Sequence, residues 1–267
     1  MNIPGITIKQ LLEAGVHLGH KTLRWNPRMK NFIYGEKNSI HIIDLTQTVV
    51  LIKSAMKEIH KCIVNGGKIL IVSTKKQAAE TVFKIATETE QYYVNYRWLG
   101  GMLTNWQTIQ NSIKRLKKLE TDLSKEDIGF TKKEILKLGK ERDKLKRSLG
   151  GISDMKKVPE MIFIIDTNTE SLAVKEAIKL NIPIVAILDS NSDPTGINFP
   201  IPGNDDARRS IDLYCEMLKK TILDAKKNIA VKQINGKDEK KSDQKKNPEK
   251  NEIIKDKIKS SKKKDTK

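Results

Sequence analysis

Cysteine is scarce: the 267-residue chain has two, Cys62 and Cys215. They stand far apart, without the close spacing of a metal-binding pair, and each falls in a helical pattern. That argues against a disulfide framework and for two small apolar groups packed in a reducing compartment. Long apolar runs are missing as well. Nothing approaches the ~18 residues that cross a bilayer, so no membrane partner is expected. The first residues, Met-Asn-Ile-Pro-Gly-Ile-Thr, lack the basic-then-apolar order of a secretory signal, and a cytoplasmic setting is the expectation. Acidic residues are outnumbered, with 33 Asp and Glu against 51 Lys and Arg, a formal net charge of +18. Lys and Arg displace counterions from phosphate backbones, so this surplus points to polyanions. Hydrophobic residues make up 37%, below the usual ~45–50% apolar share, so part of the chain is expected to lie outside any core.

The signatures of catalysis are also missing. No Gly-rich phosphate loop follows a strand, Gly66-Gly67-Lys68 preceding its strand instead, and no nucleophile elbow occurs. Of the four histidines, His60 reads as solvated, His41 as structural, and His17 with His20 forms an H-x-x-H spacing that is weak as a metal signal.

What is present is an alternation of helices and strands. Apolar positions at helical spacing fill Thr46–Val64 and end at Gly66-Gly67. A short β-branched run at Lys68–Val72 then reads as a strand buried on both faces. A helix over Lys75–Thr87 follows, with strands at Tyr92–Val94, Met161–Ile165 and Pro183–Leu188. Helices are expected at Glu170–Leu180 and roughly Asp205–Ile229. Strands separated by helices need crossover connections, so the fold class is α/β, a parallel sheet flanked by helices in three layers. Between Thr104 and Leu149 there is no strand candidate. Ile109, Ile113, Leu116, Leu119 and Leu123 in one half, and Ile135, Leu138, Leu145 and Leu149 in the other, keep a three-four rhythm around Gly129. That describes an inserted antiparallel coiled-coil helical hairpin, with 13 Lys or Arg against 7 acids. The expected organisation is an α/β domain of residues 1–103 plus 150–231, the hairpin at 104–149, and a Lys-rich disordered tail at 232–267. The tail holds 14 Lys and 7 acids, too little apolar surface to offset chain entropy.

Two segments mix cations with aromatics: Lys21-Thr-Leu-Arg-Trp-Asn-Pro-Arg28, and Asn95-Tyr-Arg-Trp-Leu-Gly-Gly-Met-Leu-Thr-Asn-Trp106. They hold all three tryptophans. Arg pairs with phosphate through two hydrogen bonds and Trp stacks on exposed bases, so both segments read as nucleic-acid contacts, recognising shape and phosphate geometry rather than sequence. The bland alternative has Trp98 and Trp106 plugging the sheet, and Gly100-Gly101 admits either a phosphate or a neighbouring helix. A third constellation is acidic. Asp166 and Asp189 end strands, where ligands of parallel sheets bind. With Asp193, Asp205, Asp206 and His20, the strand-end acids offer an oxygen and nitrogen cage for Mg²⁺ or Zn²⁺; equally, Asp, Asn, Pro and Gly are turn formers and Asn204 or Asp205 a helix cap.

On Leu11-Leu-Glu-Ala-Gly-Val-His-Leu-Gly-His20, Arg24-Trp-Asn-Pro-Arg-Met29, Asn95–Trp106, Ser148-Leu-Gly-Gly-Ile152 and Ile201-Pro-Gly-Asn-Asp-Asp-Ala207, the chain resembles the bacterial family of ribosomal protein S-two. The likeness runs from about Ile6 to Ile229. It implies a non-enzymatic constituent of the small ribosomal subunit, bound to small-subunit ribosomal RNA at the head–body junction. It also implies a protruding coiled coil and help in docking ribosomal protein S-one among neighbouring proteins, with no homo-oligomer. By position it makes Lys21, Arg24, Trp25, Asn26, Arg28, Arg97, Trp98 and Asn105 the RNA-facing candidates, with Lys114 and Arg115 on the hairpin. No cofactor is required; a structural Zn or Mg ion at His20, Asp189, Asp205 and Asp206 is the one the resemblance would add. The rival from another class is a metal-dependent α/β enzyme using Asp166, Asp189 and Asp205 at the strand ends.

Overall fold

A computed structural model describes residues 5–124 and 131–245, with 230–245 as backbone alone. Helix α1 (Ile8–Ala14) starts at Thr7, whose hydroxyl and the Gln10 side chain form a capping box, and stops at Gly15 in the left-handed region, φ +80°. Three short strands follow: β1 (Leu18–Lys21), β2 (Ile33–Lys37) and β3 (Ile40–Ile43), antiparallel in the order β1-β3-β2. Asn38 and Ser39, at φ +54° and +59°, make the tight β2–β3 turn, the type I′ geometry that matches strand twist. Between β1 and β2 run two 3₁₀ stretches, Thr22–Arg24 and Pro27–Phe32. They carry the first basic, aromatic segment.

Then the larger unit begins. In chain order come α2 (Leu45–Val64), β4 (Ile69–Val72), α3 (Lys76–Thr89), β5 (Tyr92–Val94), α4 (Trp106–Leu123), α5 (Lys132–Leu149), β6 (Met161–Ile165), α6 (Ser171–Lys179), β7 (Ile184–Leu188), β8 (Phe199–Pro202) and α7 (Arg208–Lys245). The five later strands form one parallel sheet ordered β5-β4-β6-β7-β8. Every residue of β4, β6 and β7 is buried, which is why these strands read as unbroken apolar runs. The three-layer α/β expectation holds. Leu70, Val72, Ile162, Ile164, Ala186 and Leu188 share one core with α4 and α6. Alternate strand residues point to the opposite face, left to α2, α3 and α7, which are tied together by Thr81–Asp212, Lys219–Glu88 and His60–Asp224. His60 is therefore not solvated as its sequence context suggested: it is buried, with Nε2 3.2 Å from Asp224.

Helices α4 and α5 pair antiparallel, with Arg115 2.6 Å from Glu141 and Lys146 3.6 Å from Glu120. Ile109, Ile113, Leu116 and Leu119 of α4 are buried; α5 adds buried Leu149 and half-buried Leu138 and Leu145. The expected turn around Gly129 lies outside the described residues. Ile109, Ile113, Leu116 and Leu149 belong to the same core as the sheet, so the hairpin's root is continuous with the α/β body. At that root Gly151 packs against the edge strand so closely that a Cβ would lie 2.1 Å from the Tyr93 carbonyl oxygen. Gly151→Ala should cost about 1–3 kcal/mol, the range for overpacking against an unyielding neighbour; a shift in the denaturant midpoint at constant slope measures it, and an unchanged midpoint would show that the root relaxes freely.

The compact unit ends at Ala225. Helix α7 runs on to Lys245, and the rest of the expected Lys-rich tail, 246–267, lies outside the described residues. Lys, Gln and Glu are good helix formers, and Pro248 is the first residue after Arg208 that removes a backbone donor.

Candidate nucleic-acid interface

Because all five strands of the larger sheet run the same way, the turns that follow them gather at one edge. These turns carry Lys75 after β4, the Asn95–Asn105 loop after β5, Asp166 after β6, Asp189 after β7, and Asp205 with Asp206 after β8. The first basic segment is tied to this edge from outside the sheet. The His20 N–H donates to Ser190 Oγ at 2.8 Å, and the Asn26 N–H to the Ser190 carbonyl at 2.8 Å. Arg28 donates to Asp193 at 2.6 Å and Thr195 at 2.8 Å. Met29, behind that segment, is buried in the same core as Trp98, Met102 and Leu103 of the second loop. The two cationic loops thus share an edge.

The candidates fare differently there. Lys21, Arg24, Arg97 and Lys114 are exposed, and none makes an ion pair among the described residues. Trp25 is partly exposed, its ring centroid 5.2 Å from that of His41. Asn26 instead accepts the Arg28 N–H through Oδ1, a cap on the 3₁₀ stretch. Exposed Asn105 accepts from the Thr108 hydroxyl. Arg28 and Arg115 remain at the surface but are engaged by Asp193 and Glu141.

Trp98 is the clear exception. It is only 6% exposed, and its indole N–H donates to Glu176 Oε1 at 3.1 Å. Burial removes it from any base. Glu176, midway along α6, is the organiser of the whole loop. Its carboxylate also accepts the N–H groups of Gly101 (2.8 Å), Leu103 (2.9 Å) and Thr104 (3.1 Å), and the Thr104 hydroxyl (3.2 Å). Burial pushes this carboxyl up, but the donors from Leu103, Thr104, Trp98 and Gly101 outweigh it and hold it below the usual range. Gly101 sits at φ +81°, the left-handed conformation that turns its N–H onto the helix carboxylate. Gly101 therefore serves a neighbouring helix, while Gly100 is exposed with open space around it.

The acidic candidates also converge. His20 Nδ1 lies 2.8 Å from Asp189 and Nε2 3.3 Å from Asp206; the Asp189 hydrogen bond raises the imidazole's affinity for a proton, against burial. At the centre stands a residue the sequence did not single out. The Lys75 ammonium is 2.9 Å from Asp166, 2.7 Å from Asp205 and 2.6 Å from Asp206. Asp205 is buried; burial first, then the charge of Asp166, push its carboxyl up to about 7 despite Lys75. Asp166 holds a non-glycine φ of +68°, with its carboxylate bonded to the N–H groups of Asn168 and Thr169. Such strain persists only where the surroundings fix it. His20, Asp189 and Asp206 bring ligand atoms within 4.8 Å of one another, and Asp205 Oδ2 is buried without a partner among the described residues. Imidazole nitrogen plus carboxylate oxygen is a donor set that fits zinc. Lys75 already supplies positive charge to two of the same acids. Asp189 and the Asp205 turn are thus both strand-end groups and members of one ion cluster, while Asn204, through Oδ1, accepts the N–H groups of Asp206 and Ala207.

Lys75 and Glu176 are the residues that sequence reasoning missed. For Lys75 a signal existed, a lysine directly after the first buried strand at the edge where parallel sheets gather charge. For Glu176 there was none, since its partners lie more than 70 positions away.

Comparison with known proteins gives a consistent result. The family profile described as ribosomal protein S2 matches residues 11–225. The chain is 57% identical over 224 residues to the small ribosomal subunit protein uS2 of Brucella suis, covering 84% of this chain and 88% of that protein. The proteins of the same name from Brucella abortus and Parvibaculum lavamentivorans are 57% and 55% identical over the same coverage.

Proposed function

Because the chain belongs to the ribosomal protein S2 family, we propose that this structural protein of the small ribosomal subunit holds small-subunit ribosomal RNA through the edge where its two cationic loops meet. The family is structural and serves translation, so Asp166, Asp189 and Asp205 have no catalytic task; Lys75 and His20 make them an ion cluster instead. The observation that carries the RNA reading is the meeting of the 21–28 segment and the 95–105 loop on one edge, with Arg24 and Arg97 exposed and without acidic partners among the described residues. Phosphate binding needs unneutralised cations held on a rigid support. Buried Met29, and Trp98 fastened by Glu176, provide that support. The paired helices α4 and α5 act as the coiled-coil arm of the family. Placement at the head–body junction, and help in docking ribosomal protein S-one, follow from the resemblance. No helix among the described residues is long and apolar enough to cross a membrane. If zinc is held at the same edge, His20, Asp189 and Asp206 hold it, and its contribution is charge compensation.

The test replaces Arg24, Arg28 and Arg97 together by Ala. Competing against the wild-type chain for small subunits that lack it, the variant should incorporate poorly, and its binding should lose about one unit of salt slope per lost phosphate contact. Arg28→Ala alone should weaken binding least, because its guanidinium is already engaged by Asp193. Normal incorporation of the triple variant would remove the loop assignment.

A further inference from the structure

Strand β5 is one open edge of the parallel sheet, and two clefts meet beside it. The larger, about 440 Å³, lies between α3 and the root of the hairpin and is walled by Phe83, Tyr93, Asn95, Lys146 and Arg147. The smaller, about 260 Å³, adjoins it through Asp143 and Arg147 and adds Tyr96, Lys140 and Lys144. The larger cleft falls in the ~300–1,000 Å³ range of small-molecule sites.

Its walls suit a flat heterocycle. Phe83 is 48% exposed and meets the Tyr93 ring edge-on, centroids 5.4 Å apart and planes at 83°. Tyr93 is held by Gly151, where a Cβ would lie 2.7 Å from the ring's Cδ2. A ring wall fixed in advance offers stacking area without the cost of ordering it. Asn95 donates through Nδ2 to the Ala79 carbonyl at 3.1 Å. That bond orients the amide and leaves Oδ1 as an acceptor for the exocyclic amino group of a base.

The smaller cleft suits phosphate. Lys140, Lys144 and Arg147 are exposed, and none has an ion pair among the described residues. Spaced four and three apart, they share one face of α5. Tyr96, 57% exposed, adds a phenolic O–H. Asp143, the acid at the junction, is compensated by Arg142 at 2.7 Å. Cations therefore flank the ring wall at one end. At the end marked by Tyr93 and Gly151, a third cleft sets Glu90 and Asp154 against a single lysine, Lys68. A continuous nucleic-acid strand needs cations on both sides of a stacked base. Here the phosphates must end at the base, as they do in a free nucleotide.

We propose that the two clefts form a site for a purine nucleoside 5′-polyphosphate. The base lies against Phe83 and Tyr93 with its amino group on Asn95 Oδ1, and the phosphates run from Arg147 to Lys144 and Lys140. The site goes beyond the RNA reading of the loops and can fail separately from it, since Arg24, Arg28 and Arg97 do not line it.

The experiment is equilibrium dialysis of the full-length chain at about 0.15 M salt, where long-range attraction is screened. The probes are ADP, GDP and inorganic pyrophosphate. At least one of the nucleotides should bind about fivefold or more tighter than pyrophosphate, the increment of one stacked base. Phe83→Leu keeps an apolar side chain at a half-exposed position; it should remove most of that increment and leave pyrophosphate unchanged, while Phe83→Trp keeps it. Arg147→Gln should weaken nucleotide and pyrophosphate alike, by about tenfold. The same charge change on α2, Lys53→Gln, should have no effect. Absence of nucleotide binding, equal affinity for pyrophosphate, or indifference to Phe83→Leu overturns the site. A Phe83→Leu defect that appears only when the chain is rebound to small subunits lacking it assigns the ring to RNA, and overturns the nucleotide site as well.

Discussion

Replacing Glu176 by Ala is expected to release the 98–104 loop and lower stability by about 3 kcal/mol or more. One carboxylate accepts three backbone N–H groups, an indole N–H and a hydroxyl. Hydrogen bonds to a charged group are worth ~1.5–3 kcal/mol each, and a buried donor left unpaired costs ~1–3 kcal/mol. The sum is larger than the expected loss because Gly101 and Thr104 lie near enough to water to be resolvated; Trp98 and Leu103 are buried and do not have that escape. Glu176→Gln keeps one acceptor oxygen and should fall between wild type and Ala. The dependence on pH has a definite sign. Since the folded carboxyl lies below its usual range, its contribution is present above the ordinary glutamate pKa and is lost as pH falls through the folded value. Denaturant curves of wild type and Glu176→Ala should therefore differ at neutral pH and converge in acid. Amide exchange at Gly101, Leu103 and Thr104 should accelerate in the variant. Equal midpoints at pH 7 would mean that the loop is held by Met102 and Leu103 packing and that the carboxylate is incidental.

Wherever burial leaves a one-dimensional trace, the sequence shows the fold. Strands β4, β6 and β7 are covered on both faces and appear as runs such as Ile-Leu-Ile-Val and Met-Ile-Phe-Ile-Ile. The fifth strand escapes because Pro200 and Pro202 lie in it. Proline has no N–H to donate to a ladder, and β8 tolerates it by pairing only with β7 at the sheet's edge. The small antiparallel sheet escapes for another reason: β1 and β2 contain Gly19 and Gly35 and their burial is partial, and only the Ile-His-Ile-Ile order of Ile40–Ile43 looks like a strand in sequence. Site residues divide along the same physical line. The exposure of Arg24 and Arg97 was legible because a cation in a polar loop needs no partner to stay at the surface. Trp98 was left open between base contact and sheet packing; its burial fits the packing alternative, because it depends on a carboxylate that only the crossover from β6 through α6 brings alongside. The acidic residues were correctly gathered at one edge by strand direction, but the cation already among them was not foreseen. Lysine after a strand looks like any solvated charge until three carboxylates surround it.

That cation sets the second large effect. Lys75 is 15% exposed, and of the acids it contacts Asp166 is 7% and Asp205 1% exposed at the side chain. Removing one partner of a buried ion pair leaves an uncompensated charge and costs about 3–5 kcal/mol. Lys75→Met keeps the apolar stem and deletes only the ammonium, so its penalty reports electrostatics rather than a cavity. Asp206 is about half exposed and can turn to water; Asp166, pinned by Thr169 and a left-handed backbone, cannot. The loss should therefore fall mainly on Asp166 and Asp205, and Asp206→Asn should cost under 1 kcal/mol, as for an exposed pair. Lys75→Arg retains the charge but brings a planar fork to a site built around a point cation, and should recover only part of the stability. Carrying out the unfolding measurements after exhaustive chelation separates Lys75 from any divalent ion that His20, Asp189 and Asp206 hold. A full penalty in chelator identifies the lysine as the counter-charge that allows four acids to share one edge of the sheet. A neutral Lys75→Met under those conditions would show that the cluster is stable without an internal cation, and the ion-cluster account of this edge would have to be abandoned.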